Sequence, residues 1–243
     1  GVPMRAWGLT DIGMVREVNQ DTFRMEYDME TGRGMFLVCD GMGGAAAGEV
    51  ASGLAADAFL QSMDNCWKER FDAVNLKKRL LESYDQVNEV VFDASRANPD
   101  YAGMGTTMVA VVCGDGQALV GNVGDSRAYF LDETGMRQIT EDHSLVTELM
   151  KRGDLTPYQA SRHPSRNVIT RAMGADATKL TANDDAHRLI TNGLRNAFTA
   201  TSGDVNYPVQ MAAVAIVSAP LFLVFIFLRK YIMKGVSRSG IKG

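Results

Sequence analysis

Apolar and polar positions divide the chain into short strand-like runs, two helical stripes and one long uncharged stretch near its end. Residues 6–13 and 23–27 carry short apolar runs separated by a polar link, and each predicts a strand. Residues 35–39 are continuously apolar and predict a buried strand. From Ala46 the spacing of Val50, Leu54, Ala58 and Leu60 predicts a helix. Leu76, Leu80, Tyr84, Val87, Val91 and Ala94 form a second helical stripe, ended by Asn98-Pro99, and such a stripe is core packing. A valine-rich run at 107–113, the hairpin signal Gly114-Asp115-Gly116, and runs at 118–123 and 127–131 predict a meander. Strands and helices in this arrangement give an α+β domain, with helices laid against antiparallel sheets.

The uncharged stretch changes that picture. Residues 209–228 hold no charge over twenty positions, long enough to cross a bilayer as a helix. A buried core helix would carry a polar stripe, and only Gln210 and Ser218 are polar here. Pro220 kinks such a span without forbidding it. Beyond it stand Arg229, Lys230, Lys234, Arg238 and Lys242 with no acid, which places that end in the cytoplasm.

The length suits one domain plus an appendage, and 46% hydrophobic with 22% charged residues is the balance of a globular protein. A net charge of −4 gives no reason to expect nucleic acid. Three cysteines, Cys39, Cys66 and Cys113, without a spacing motif argue against a disulfide framework or a zinc site. Cys39 and Cys113 read as reduced buried thiols, so the bulk of the chain reads as cytoplasmic. The chain begins at Gly1 with no signal peptide, as a fragment would.

The candidate chemistry centres on Asp40-Gly41-Met42-Gly43-Gly44, where a strand stops at a carboxylate and glycines follow. A carboxylate with a neighbouring backbone carbonyl can hold a hard cation, and a glycine-rich turn into a helix is the equal alternative. Arg16 and Asp21 share one loop; arginine grips phosphate oxygens in pairs, but taken alone a surface salt bridge is the better reading of the pair. Asp125, in Gly124-Asp125-Ser126-Arg127, taken alone is an ordinary turn aspartate. Asp142-His143-Ser144 could hold a catalytic histidine, but a helix cap ahead of residues 145–150 fits the spacing better. No nucleophile elbow, Walker loop or zinc-protease motif is present. Several aspartates with one arginine and no nucleophile suit two divalent ions that activate water for in-line attack on a phosphate ester. Oxygen-only ligands favour Mg2+ or Mn2+ over zinc.

Residues 5–178 resemble the bacterial type 2C metal-dependent protein phosphatases, the PPM family. The resemblance rests on eight strings in the family's order. They are Thr10-Asp11-Ile12-Gly13, Arg16-x-x-Asn19-Gln20-Asp21, Val38-x-Asp40-Gly41-Met42-Gly43-Gly44, Gly48-Glu49-x-Ala51-Ser52, Met104-Gly105-Thr106-Thr107, Val123-Gly124-Asp125-Ser126-Arg127-x-Tyr129, Asp142-His143-Ser144 and residues 167–174. The resemblance implies a sandwich of two antiparallel β-sheets flanked by α-helices. It implies that Asp40 bridges two Mn2+ or Mg2+ ions, Gly41 gives its carbonyl, and Asp21 holds metal-bound water. Arg16 then binds the substrate phosphate, and Asp125 helps a third, looser ion. Phosphoserine and phosphothreonine in proteins are the implied substrates, and a Ser/Thr protein kinase is the partner that analogy supplies.

The pattern breaks after Gly174. The family's Ser-Asp-Gly-Leu and Asp-Asn-x-Thr segments, which carry further metal ligands, are absent, and Ala45 and Ala46 stand where a histidine is often found. Residues 189–243 instead resemble the end of a carbohydrate ABC-transporter permease subunit. The expected organisation is a truncated phosphatase domain at 1–180, a polar junction at 181–208, a transmembrane helix at 209–228 and a basic tail at 229–243. Its expected consequence is impaired phosphatase activity. The alternative is a non-catalytic membrane-anchored remnant or a chimera with the permease tail. One span cannot leave both flanks in the cytoplasm, so phosphatase and tail conflict as a one-span protein.

Overall fold

The computed structural model describes residues 4–44 and 47–175. Strands β1 (Asp21–Asp28), β2 (Arg33–Met42), β4 (Met108–Gly114) and β5 (Gln117–Val123) form an antiparallel sheet in that order, with β3 (Gly105–Thr106) paired to the end of β2. Two helices, α1 (Ala47–Met63) and α2 (Ala73–Ala97), cover one face. Strands β6 (Tyr129–Asp132) and β7 (Gly135–Gln138) pair only with each other. Short helices α3 (Leu145–Arg152) and α4 (Pro157–Arg162) follow.

Strand periodicity sorts the side chains into two cores. Met35, Leu37 and Cys39 of β2, with Met108, Ala110 and Val112 of β4, face the helices. There they meet Phe59 of α1 and Leu80, Tyr84, Val87 and Val91 of α2, each at most 4% exposed. This is the expected α2 stripe, and it begins at Asp72, whose carboxylate accepts from the Val74 and Asn75 N–H groups at 3.0 and 3.2 Å. On the opposite face Val109, Val111 and Cys113 of β4 and Ala118 and Val120 of β5 pack against Ala128, Ile139 and Phe130. The layered α+β architecture is therefore present, with the second layer formed by the β6–β7 hairpin among the described residues. Cys39, Cys66 and Cys113 are free thiols, the first and last buried.

Two sequence expectations are corrected. Residues 6–13 form no strand; their apolar side chains lie open, with Trp7 79% and Leu9 92% exposed, because no described strand pairs with them. The run at 127–131 does not extend the meander. The chain leaves the sheet after β5 at Gly124, whose φ of +107° turns it away, and regular pairing resumes at Tyr129 opposite Gln138. Among the described residues no helix is long and apolar enough to cross a membrane. The expected span at 209–228, the junction and the basic tail lie outside the described residues.

The junction of β2 and α1 sets the shape of the glycine-rich run. A Cβ on Gly41 would lie 1.9 Å from the Gly48 carbonyl oxygen and 2.7 Å from that of Gln20, so backbone packs on backbone there. Gly53, midway along α1, faces open space. Gly41→Ala is therefore expected to destabilise the fold by ~3 kcal/mol or more through backbone displacement. Gly53→Ala is expected to stabilise it by about 0.5–1 kcal/mol through helix propensity. Urea unfolding followed by circular dichroism checks both.

Candidate metal and phosphate site

The register of β1 against β2 places Asp21 directly opposite Asp40. Directly opposed residues share a face of the sheet, so two carboxylates confront each other at its end. The glycine-rich run explains how Asp40 comes to stand there: Gly41 donates its N–H to the Gln20 carbonyl at 3.0 Å, closing the end of the β1–β2 pair. Asp21 is fixed from the preceding loop, where its N–H donates to Asn19 Oδ1 at 3.0 Å and Asn19 Nδ2 donates to Thr10 Oγ1 at 2.7 Å.

Electrostatics make this pair costly as it stands. Burial pushes the Asp40 carboxyl up to about 7, with the Asp21 charge and hydrogen bond adding to the rise and Asp125 contributing more weakly. Arg16 opposes that rise, which puts its guanidinium in electrostatic range of Asp40 from an exposed loop position. Asp21 Oδ1 is buried without a hydrogen-bond partner. Orphaned carboxylate oxygen beside a second carboxylate is the donor chemistry of a hard divalent cation, and in this respect the residues fit Mn2+ or Mg2+. Among the described residues no group of three or more His, Cys, Asp or Glu side chains gathers as a cage, so the donor set is partial.

On its other side Asp40 meets Thr107. The Asp40 N–H donates to Thr107 Oγ1 at 3.0 Å, and the Thr107 N–H donates to the Asp40 carbonyl at 2.9 Å. Thr107 Oγ1 also lies 2.7 Å from Ser126 Oγ, and both residues are buried. One threonine thus ties the Asp40 segment to the turn that carries Asp125. Burial pushes the Asp125 carboxyl up, and Asp142 adds to the rise. The sequence quoted Thr107 and Ser126 only as parts of motifs. Their linking role depends on a contact between positions far apart in the chain, which no local spacing reveals.

The Asp142-His143-Ser144 cluster resolves into three separate tasks. Asp142 takes the Arg127 guanidinium in a bidentate pair, with Nε to Oδ1 at 2.7 Å and a second bond from Nη2 to Oδ2. Ser144 caps α3, accepting from the Thr147 N–H at 3.3 Å, as the spacing predicts. His143 is buried, its imidazole pushed down to about 4 by burial with Arg171 adding, and it accepts from the Gly124 N–H through Nδ1 at 3.1 Å. The cluster is structural in its contacts.

Comparison with known proteins accords with this geometry. The Protein phosphatase 2C family profile matches residues 15–206. Serine/threonine phosphatase stp of Listeria monocytogenes serotype 4b (strain F2365) is 36% identical over 176 residues, 71% of this chain and 68% of that protein. The crystal structure of serine/threonine phosphatase Stp1 from Staphylococcus aureus superposes with a TM-score of 0.61 at 35% identity, over 69% of this chain and 65% of that one. The catalytic domain of serine threonine protein phosphatase PstP, solved in complex with 2 manganese ions, matches with a TM-score of 0.51 at 30% identity, over 67% of this chain and 63% of that one. The chain thus spans about two thirds of the length of these relatives, none of which bears on the permease resemblance of residues 189–243. The chain belongs to the protein phosphatase 2C family.

Proposed function

We propose that this chain hydrolyses phosphoserine and phosphothreonine in proteins with a divalent cation, Mn2+ or Mg2+, held at the end of the β1–β2 pair. The observation that carries the reading is the Asp21–Asp40 opposition, with a buried Asp21 oxygen left unpartnered. Asp40 and the Gly41 carbonyl would hold two ions, with Asp21 holding water at the same centre. Asp125, on its separate turn, would serve a third, looser ion. What the ions supply when bound is an activated water and neutralisation of phosphate charge. Arg16, exposed beside Asp40, binds and orients the phosphate through its paired N–H groups. The manganese in the PstP structure supports the same choice of cation.

Two consequences follow for this chain in particular. Asp21, Asp40 and Asp125 supply fewer carboxylates than the family's full set, so activity is impaired. The substrates are phosphorylated proteins, a Ser/Thr kinase being the counterpart, and the phosphatase part works in the cytoplasm. For residues 189–243 the permease-like tail and its membrane span rest on sequence alone. Reading the coding DNA across residues 170–195 in one uninterrupted molecule separates a true fusion from a joining artefact.

Hydrolysis of a phosphothreonine peptide by the full chain is expected to require Mn2+ and to vanish in Asp40→Ala. The kcat/KM is expected to lie roughly 10²-fold or more below that of the Listeria relative assayed alongside. Equal activity without Mn2+, or in the Asp40→Ala chain, contradicts the mechanism; parity with the relative contradicts the impairment.

The pH dependence has a definite sign. Asp40 has its folded value raised to about 7 from an ordinary 3.8, so the folded state binds its proton more tightly. Its stabilising proton is fully present below about pH 4 and lost as pH rises through about 7. Metal-free protein is therefore expected to show an Asp40-dependent fall in stability between pH 5 and 7.5, at roughly constant ionic strength. Mn2+ is expected to bind more tightly as pH rises over the same range, because it displaces that proton. Urea midpoints with and without Mn2+ at each pH check both signs.

A further inference from the structure

The turn that carries Asp125 is held from both ends. Gly124 sits at a φ of +107°, and a Cβ there would come within 2.6 Å of Thr107 Cγ2. Both main-chain polar groups of Gly124 go to one residue. Its N–H donates to His143 Nδ1 at 3.1 Å, and its carbonyl accepts from the His143 N–H at 2.9 Å. Asn122 Nδ2 reaches the same carbonyl at 3.4 Å while donating to the Glu141 carbonyl at 2.9 Å. On the far side of Asp125, Ser126 Oγ meets Thr107 Oγ1 at 2.7 Å. His143 is itself braced, its carbonyl accepting from the Thr170 N–H at 2.8 Å.

The Gly124 N–H needs a lone pair on Nδ1, which fixes the imidazole as neutral with its proton on Nε2. An apolar side chain at 143 would leave that buried N–H without a partner. Asparagine can place an amide oxygen near the position of Nδ1, so it should substitute where leucine cannot.

We propose that His143 is a positioning residue, a neutral acceptor whose Nδ1 holds Gly124 in the turn that presents Asp125 to a divalent cation. The cation part rests on the reading of Asp125 given above.

The full chain tests this as wild type, His143→Asn, His143→Leu and Asp125→Ala. Amide hydrogen exchange at Gly124 is expected to be slow in wild type, slow in His143→Asn and at least about tenfold faster in His143→Leu. Titration with Mn2+ alone, followed by the electron paramagnetic resonance of free Mn2+, is expected to show the weakest-bound ion loosened in His143→Leu to the level of Asp125→Ala. His143→Asn should keep wild-type affinity. Unchanged Gly124 exchange in His143→Leu, or equal loss in the Asn and Leu variants, overturns the proposal. If His143→Leu does not fold, the nitrogen-15 spectrum of the wild-type imidazole decides: an unprotonated Nδ1 at pH 7 supports the role, and a protonated Nδ1 overturns it. If wild type binds no Mn2+ at all, the cation reading of Asp125 falls, and Gly124 exchange still decides whether His143 holds the turn.

Discussion

Two carboxylates, Asp21 and Asp40, stand opposite each other on adjacent antiparallel strands, half withdrawn from water. Like charges so placed repel, and burial raises the cost of charging Asp40. Much of the surrounding structure holds this arrangement in place. The Asn19 side chain and Gln20 carbonyl fix the entry to β1. Gly41 lets the start of α1 pack directly on the strand, because no side chain could fit between them. Thr107 occupies the Asp40 main-chain N–H from the other side. A glycine, a threonine and two half-buried carboxylates thus meet at one corner of the fold.

The same corner shows how the parts communicate. Thr107 bonds to the Asp40 segment and to Ser126, so the carboxylate of β2 and the carboxylate of the Gly124 turn share one buried hydroxyl. Thr106 extends the link, exchanging main-chain hydrogen bonds with Met173 at 3.1 and 2.8 Å. From there Asn88 of α2 takes the Gly174 and Ala175 N–H groups at 2.9 and 3.2 Å. The last described stretch of chain is thereby brought beside the site.

Legibility in the sequence followed the range of the interactions. The α2 stripe could be read because helical spacing is local, and Leu76 through Val91 are buried as it predicts. The continuous apolar run 35–39 likewise predicts a buried strand, but not the alternation within it, which buries Cys39 and leaves Asp40 half-exposed on the other face. The strand expected at 6–13 failed because a strand is completed by a partner, and hydropathy at Trp7 and Leu9 does not say whether one exists. The run at 127–131 was misplaced because the deciding event is a single left-handed glycine at 124, followed by the Arg127–Asp142 pair. At the site, Asp40 was conspicuous from its glycines. The contacts of Thr107 with Asp40 and of His143 with Gly124 were not, since each joins residues far apart along the chain.

The account stands on the Asp21–Asp40 repulsion being relieved by a cation. The most direct measurement is the thermal midpoint of the full chain and its Asp40→Asn variant at pH 7.5, each with and without Mn2+. Removing the charge is expected to raise the metal-free midpoint and to abolish the rise that Mn2+ gives the wild type. A metal-free midpoint lowered by the substitution, together with an undiminished Mn2+ shift, would contradict it.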